Sequence, residues 1–149
     1  MEDIQNNERK VWLSLMATSP DGALMKLLTQ EAETPEFEWL RKPEIGSVMV
    51  RGRTGGTGAP FNLGEITVTR CSLKLASGEV GHGYVQGRRK EDAESAALVD
   101  ALMQTDAALE LKAKVLTPLS TQISKAKTKR ARKAAATKVD FFTMARGED

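Results

Sequence analysis

The sequence predicts an α+β fold: a single domain whose antiparallel β-sheet, with a long central hairpin, is flanked by N-terminal and C-terminal helices. Two observations carry this prediction. Residues 47–86 show short, alternating apolar patterns broken by glycines, which is typical of strands and turns. The segments before and after them carry apolar residues at helical spacing. A chain of 149 residues suits one such domain, and we expect it to end in an extended C-terminal arm.

The predicted domain divides into four stretches. N-terminal helices occupy residues 1–30, the sheet lies within residues 37–87, further helices follow over residues 90–136, and residues 137–149 form a docking tail. Within the sheet region, a glycine-rich loop is expected over residues 52–64, because five glycines fall in thirteen residues there. Ser19 and Pro20 predict the start of the second helix, as its N-cap and first residue.

The central hairpin is the most specific structural prediction. Residues 65–75 and 80–86 read as its two strands, and Ser77-Gly78 supplies the tight turn. Gly81 and Gly83 leave one face of the second strand without side chains, so another element must pack closely against it. The alanine-rich segment 91–103 predicts a helix able to make that approach.

The apolar pattern of the first hairpin strand changes face along its length. Ile66 and Val68 share one face, whereas Cys71, Leu73 and Leu75 share the other. Either both faces of this strand are covered, or a bulge lies near Thr69 and Arg70.

Composition excludes several kinds of site. His82 is the only histidine and Cys71 the only cysteine. A zinc site with several nitrogen or sulfur ligands, or a three-cysteine iron–sulfur cluster, therefore cannot be built from this chain alone. Magnesium held by carboxylates and a substrate phosphate stays open. We expect no metal site and no cofactor held by this chain alone.

Sequence features also bear on the compartment. No apolar run approaches the ~20 residues of a membrane-spanning helix, so we expect no membrane association. The acidic start Met1-Glu2-Asp3 predicts no secretory signal, and a single cysteine forms no internal disulfide. We therefore expect a cytoplasmic protein.

The charge is strongly polarised along the chain. The net charge is +2 overall, but residues 1–38 carry −5 and residues 125–149 carry +5. Such asymmetry steers docking with a charged partner. The basic run 125–133 is typical of an arm that binds nucleic acid. It has no interleaved aromatic residue for base stacking, however. The competing interpretation is a solvated helix face or a protein-docking surface. A small nucleic-acid-binding protein is thus the alternative function.

The glycine-rich loop and its arginines form one candidate site that faces a ligand or a partner. Its backbone N–H groups could form an anion-binding nest, and neighbouring guanidinium groups suit a phosphate or phosphonate. The competing interpretation is a shaped connection between two strands. The candidate residues are Arg51, Arg53, Gly55, Gly56 and Gly58.

Two further residues of the hairpin are candidates for chemistry. His82 could act as a general acid or base, although a lone strand histidine is more often structural. Arg70 would require an anionic partner if it pointed inward, and otherwise lies on the solvent face. Near the end of the chain, Phe141, Phe142 and Met144 either pack on their own core or anchor the tail in a groove of another subunit.

Taken together, several segments resemble the G subunit of the bacterial carbon–phosphorus lyase system, the PhnG family. The resemblance spans nearly the whole chain, and the combination of segments is specific. The segments are Trp12-Leu13-Ser14, Val50-Arg51-Gly52-Arg53, Gly55-Gly56-Thr57-Gly58 with Phe61, Gly64-Glu65-Ile66-Thr67-Val68-Thr69-Arg70, Gly83-Tyr84-Val85-Gln86-Gly87-Arg88, Ala97-Leu98-Val99-Asp100-Ala101-Leu102-Met103-Gln104 and Lys138-Val139-Asp140-Phe141-Phe142-Thr143-Met144-Ala145-Arg146-Gly147.

This resemblance implies a cytoplasmic subunit of a phosphonate-degrading complex, with the H, I and J subunits and the L protein as partners. The implied reaction is the attack of methylphosphonate on the anomeric carbon of ATP, with Mg²⁺ assisting. It gives α-D-ribose 1-methylphosphonate 5-triphosphate and releases adenine. In that reaction Arg51, Arg53 and Arg70 would supply positive charge, and His82 or Glu65 a proton-transfer group. The resemblance assigns none of them a catalytic role, and a structural or supporting part is expected.

Overall fold

The computed structural model describes residues 2–147, and side chains for residues 3–137. Its elements confirm the predicted α+β fold. They are helices α1 (Glu2–Ala17) and α2 (Ala23–Glu31), strand β1 (Phe37–Arg53), a 3₁₀ turn (Thr54–Gly56), strands β2 (Pro60–Leu75) and β3 (Val80–Gln86), helices α3 (Lys90–Leu102) and α4 (Ala108–Leu111), a π-helical turn (Lys112–Leu116) and helix α5 (Thr117–Gly147). Among the described helices, none has the length and apolar character needed to cross a membrane.

The three strands form one antiparallel sheet in the order β1-β2-β3. The predicted central hairpin is confirmed: β3 pairs with β2 from Val68 to Lys74, and the chain turns at Ser77-Gly78. No register shift interrupts this pairing, but the β1–β2 ladder has shifts between Trp39 and Arg41 and between Arg41 and Glu44, opposite Arg70 to Leu73. An irregularity therefore lies beside Arg70, as predicted, and its extra residues belong to β1.

Helix α3 packs directly on the backbone of β3. A Cβ atom added at Gly81 would overlap the carbonyl oxygen of Ala97, and one added at Gly83 would overlap that of Ala93. The predicted close approach of an alanine-rich helix is confirmed, because only glycine lets the helix and strand backbones come this near.

The core lies between the sheet and the helices. Strand β2 contributes Cys71, Leu73 and Leu75, which α3 covers. Met16 of α1, Leu24 of α2 and Leu119 of α5 complete the layer. The main core cluster therefore uses the face of β2 that carries Cys71. On the other face Ile66 is exposed, whereas Val68 is buried outside that cluster.

The hairpin formed by β1 and β2 is longer than predicted. The prediction of a loop over residues 52–64 is wrong, because the strands pair up to Arg53 and Pro60 and only residues 54–59 connect them. Two glycines in the expected loop have strand roles: Gly52 lies beneath the side chain of Leu63, and Gly64 has φ +152 at a register shift. Glycine within a strand marks a bulge or a close contact, and here it marks both.

The N-terminal end of α2 also differs from the prediction. The helix begins at Ala23 after Gly22, and Ser19 donates its hydroxyl hydrogen to the carbonyl of Met16 instead of capping α2. The carboxylate of Asp92, on α3, accepts hydrogen bonds from the backbone N–H groups of Gly22 at 2.8 Å and Met25 at 3.3 Å. An acid distant in the sequence thus satisfies the free donors at this helix end.

Helix α5 forms the C-terminal arm. Leu119 is fully buried and Ile123 packs against the core, whereas residues 127–137 are exposed. The backbone of the predicted tail continues this helix to Gly147. The side chains of Phe141, Phe142 and Met144 lie outside the described residues, so their docking stays a prediction.

Candidate functional site on the open face of the sheet

The side of the sheet away from α3 carries several of the predicted residues. The strand register places Arg70 between Glu44 and Tyr84, and places Ser72 beside His82 on the next rung. We call this surface the open face and define it by Glu44, Arg70, Ser72, His82 and Tyr84. Arg70 and His82 are therefore near neighbours, and Arg70 has the solvent-facing position that was one of its two predicted alternatives.

His82 is held from both sides. Its Nδ1 lies 2.8 Å from the hydroxyl oxygen of Ser72 on the open face. Its backbone N–H donates to Oδ2 of Asp100, on α3, at 2.8 Å. The side chain is exposed, and within the described residues its other ring nitrogen has no hydrogen-bond partner. The backbone and Nδ1 of His82 are thus held by hydrogen bonds, and its Nε2 is left to contact a partner or solvent.

Asp100 is the buried polar centre of the fold. Its side chain is fully buried and accepts hydrogen bonds from Nε and a terminal guanidinium nitrogen of Arg9 at 3.1 and 2.8 Å, and from Nε1 of Trp12 at 2.8 Å. With the bond from His82, one carboxylate joins α1, β3 and α3. The hydrogen bond to Asp100 is the main cause that raises the pKa of Arg9. Because every acceptor position is engaged, this buried charge is compensated.

Glu65, the other candidate for proton transfer, lies far from His82. It pairs with Met49 and therefore projects from the opposite side of the sheet. Ser72, the hydrogen-bond partner of His82, lies seven residues further along β2. The distance along the strand from Glu65 to Ser72 is therefore about 23 Å, at about 3.3 Å per residue. These two groups cannot act on one bond as an acid–base pair within a single copy of the chain.

The arginines and glycines of the other candidate site lie at the far end of the β1–β2 hairpin. We call residues 48–66 the hairpin arm, because this part of the ladder extends beyond β3. Arg51 and Arg53 are exposed, and neither forms an ion pair within the described residues. The structure places them on the arm and not beside Arg70.

The glycines at the tip of the arm shape its turn. Gly55 and Gly56 have φ of +63 and +84, values that glycine adopts without strain. The N–H groups of Thr57 and Gly58 both donate to the carbonyl of Thr54. These two donors serve the turn itself, which favours the connector interpretation for this part of the loop.

Cys71 has the environment of a structural thiol. It is buried, and its Sγ donates to the carbonyl of Ala93 at 3.1 Å. Burial raises its pKa to about 11, so the reactive thiolate is disfavoured. No group of three or more possible metal-ligating side chains occurs among the described residues.

A separate groove of about 920 Å³ runs between α1 and the segment from α4 to the start of α5. Its walls include Trp12, Leu15 and Met103, and the exposed side chains of Val11 and Leu109 lie at its border. It includes none of the residues predicted from the sequence to carry chemistry.

Sequence reasoning missed the roles of Arg9 and Asp100. The available signal was an acid within the alanine-rich, buried stretch of α3, where a charge demands a partner. The partner is 91 residues away in the chain, however, and no local pattern identifies it.

Comparison with known proteins supports the family resemblance seen in the sequence. The family model described as phosphonate metabolism protein PhnG matches residues 7–147. A protein of Rhizobium meliloti (strain 1021), named alpha-D-ribose 1-methylphosphonate 5-triphosphate synthase subunit PhnG, is 42% identical over 142 residues, which are 95% of this chain and 91% of that protein. The chain therefore belongs to the PhnG family of phosphonate metabolism proteins.

Proposed function

We propose that this chain is a subunit of a synthase that makes α-D-ribose 1-methylphosphonate 5-triphosphate from ATP and methylphosphonate, in the cytoplasm. The observation that carries the proposal is the 42% identity, over almost the whole of both chains, to a protein named as a subunit of that synthase. Its partners are the H, I and J subunits and the L protein, and ATP enters the complex with Mg²⁺.

The reaction forms one bond and breaks another at the same carbon. A phosphonate oxygen bonds to C1′ of the ribose while the bond from C1′ to N9 of adenine breaks. Adenine leaves with the electron pair and takes up a proton. Such a displacement needs positioned reactants, positive charge around the triphosphate and a proton donor near the departing base.

The role we propose for this chain is supporting rather than catalytic. His82 and Glu65 project from opposite sides of the sheet, so they do not form a catalytic pair. Asp100 and Arg9 are engaged in joining α1 to the sheet. The exposed cationic groups Arg51, Arg53 and Arg70 instead suit contacts with other subunits or with the triphosphate.

Genetic complementation tests this proposal. A bacterial strain that lacks its own PhnG gene but retains the other phosphonate genes is supplied with this chain and grown on methylphosphonate as the sole phosphorus source. We expect growth with the chain and none with an empty vector. Tagged chain should also retain the H, I and J subunits through purification. Failure both to restore growth and to retain them would contradict the proposal.

A further inference from the structure

The hairpin arm has one apolar face and one polar face. The rungs Val48–Ile66, Val50–Gly64 and Gly52–Phe61 place their side chains on the same side as the open face. The bulged residue Leu63 lies on that side too, because a Cβ atom at Gly52 would meet its Cδ1 at 2.9 Å. We call this set the arm stripe. It consists of Val48, Val50, Phe61, Leu63 and Ile66.

The other side of the arm is polar. Its rungs pair Met49 with Glu65, Arg51 with Asn62 and Arg53 with Pro60. We call the three-stranded part of the sheet the base. There the apolar side chains of Cys71, Leu73 and Leu75 face α3, whereas the other side of β2 carries the charged Arg70 beside the buried Val68. The side of β2 that carries most of its apolar residues therefore changes between base and arm, close to the register shifts of the β1–β2 ladder opposite Arg70 to Leu73.

Three side chains of the arm stripe are exposed, and Val48 and Val50 are half-buried. Leu63 is 62% exposed, Phe61 44% and Ile66 37%. A two-stranded ribbon is at best marginally stable in water by itself, and a contiguous exposed apolar stripe with a polar opposite side is typical of an interface. The stripe and the open face lie on the same side of β2, separated by the rung of the buried Val68, so one partner can reach both.

Three arguments oppose a second copy as the partner. If two copies stacked arm on arm with their bases together, the charged groups of both open faces would lose their contact with water. If they stacked arm on base, the apolar stripe of one would lie on the charged open face of the other. An arm-on-arm contact alone, about 17 Å long and 10 Å wide, would bury on the order of 400 Å² in total, well below the ~1,200 Å² of a stable interface.

We propose that the arm stripe and the open face together dock one different protein chain, which presents an apolar patch to the stripe and carboxylates to Arg70. This inference rests on the proposed function, since it makes that chain another subunit of the synthase. A partner with this pattern buries Phe61 and Leu63 and neutralises the charge at the base of the sheet. It also explains why β2 carries apolar residues on both sides.

A matched pair of substitutions tests the proposal. Leu63→Glu places a charge on the stripe, and Met49→Glu places the same charge on the opposite side of the arm, where Met49 is 52% exposed. Both sites are solvent-exposed in the single chain, so both variants should fold, which circular dichroism and the Tm would verify. Each variant is co-expressed, as the full chain, with the H, I and J subunits.

We expect L63E to reduce recovery of the other subunits at least tenfold and M49E to leave it within twofold of the wild type. A photo-crosslinking residue at position 63 should link to a different subunit, whereas one at position 49 should not. A link from position 63 to a second copy, or assembly of L63E like the wild type, would overturn the proposal while leaving the proposed function standing. If the wild-type chain itself retained no subunit, the proposed function would fail, and this inference with it.

Discussion

The carboxylate of Asp100 accepts a hydrogen bond of 2.8 Å from the backbone N–H of His82. This bond ties β3 to the buried carboxylate of Asp100 on α3. The side of β3 that faces away from α3 belongs to the open face. The same carboxylate binds Arg9 and Trp12 of α1, so a change at Asp100 should loosen the N-terminal helix and β3 together.

Asp100→Asn tests this role. An amide cannot neutralise Arg9 and accepts fewer hydrogen bonds, and breaking a buried ion pair costs about 3–5 kcal/mol, here reduced because Arg9 is 31% exposed. We expect a loss of about 2–3 kcal/mol in the free energy of unfolding, measured in urea. Asp106→Asn, on an exposed position, is the control and should change it by less than about 0.5 kcal/mol. Equal stability of the two variants would refute the role assigned to Asp100.

Gly81→Ala tests the close packing of α3 on β3. The added methyl group would overlap the carbonyl oxygen of Ala97. This oxygen is part of the helix backbone and cannot move away as a flexible side chain could. We expect a loss of about 2 kcal/mol or more in the free energy of unfolding, since overpacking a tight contact costs about 1–3 kcal/mol. Gly46→Ala in β1 is the matched control, because no atom lies within 4 Å of its added Cβ, and it should be neutral or slightly stabilising.

Cys71 should be unreactive in the folded protein. With a pKa of about 11, roughly one thiol in a thousand is a thiolate at pH 8, and burial excludes reagents as well. We expect labelling by a thiol reagent at pH 8 to be at least ~100-fold slower in buffer than in urea. Comparable rates in the two solvents would show that the thiol is accessible.

The same raised pKa predicts a pH dependence of stability. Folding raises the pKa of Cys71 from 9.0 to about 11, so between these values the folded state retains a proton that the unfolded state has lost. The stability contributed by the thiol is full below pH 9 and declines as the pH rises to 11, by roughly 2–3 kcal/mol. The difference in unfolding free energy between wild type and Cys71→Ala should follow this decline, and a constant difference across that range would contradict it.

Arg51 and Arg53 should matter for function without mattering for the fold. Both are exposed and neither forms an ion pair within the described part of the chain, so replacing both with alanine should leave the thermal unfolding of the assembled complex nearly unchanged. We expect growth on methylphosphonate to be impaired, because the arm loses its positive charge. Normal growth would mean that the tip of the arm is only a connector.

Truncation after Ala136 tests the C-terminal tail. Helix α5 leaves the core after Ile123, and residues 127–137 are exposed, so removing residues 137–149 should leave the α+β core folded by circular dichroism. Burying two phenylalanine side chains contributes roughly 1.5–3 kcal/mol each. We therefore expect loss of co-purification with the I subunit. Unchanged affinity would show that the tail is not an assembly device.

Much of the fold could be predicted from local patterns. Gly81 and Gly83 in β3 and the alanine-rich segment after this strand predicted that a helix packs closely on β3. The structure confirms the helix and its close packing. The length of the β1–β2 hairpin could not be predicted in this way. Gly52 and Gly64 resemble loop glycines in the sequence, and only the pairing of Arg53 with Pro60 shows that they belong to strands.

The site was predictable only in part. Arg70 and His82 were named as candidates, but their presence on one face depends on the register between β2 and β3, which single-residue patterns leave open. The change of apolar face between Ile66 and Cys71 was visible in the sequence. The structure explains this change of face, because α3 packs on the side of β2 that carries Cys71 while Ile66, on the other side, stays exposed. The acid within the alanine-rich segment indicated that Asp100 needs a partner, but no local pattern identified Arg9 as that partner.

The most direct test of the supporting role is adenine release from ATP and methylphosphonate by a complex reconstituted from purified subunits. We expect release to require this chain, and we expect complexes assembled with Glu65→Gln or His82→Ala to keep a kcat within about twofold of the wild type, whereas loss of a proton-transfer group typically costs 10²- to 10⁴-fold. Full activity without the chain would contradict its place in the synthase. A loss of 10²-fold or more in either variant, with the complex still intact, would contradict the supporting role and make that residue catalytic.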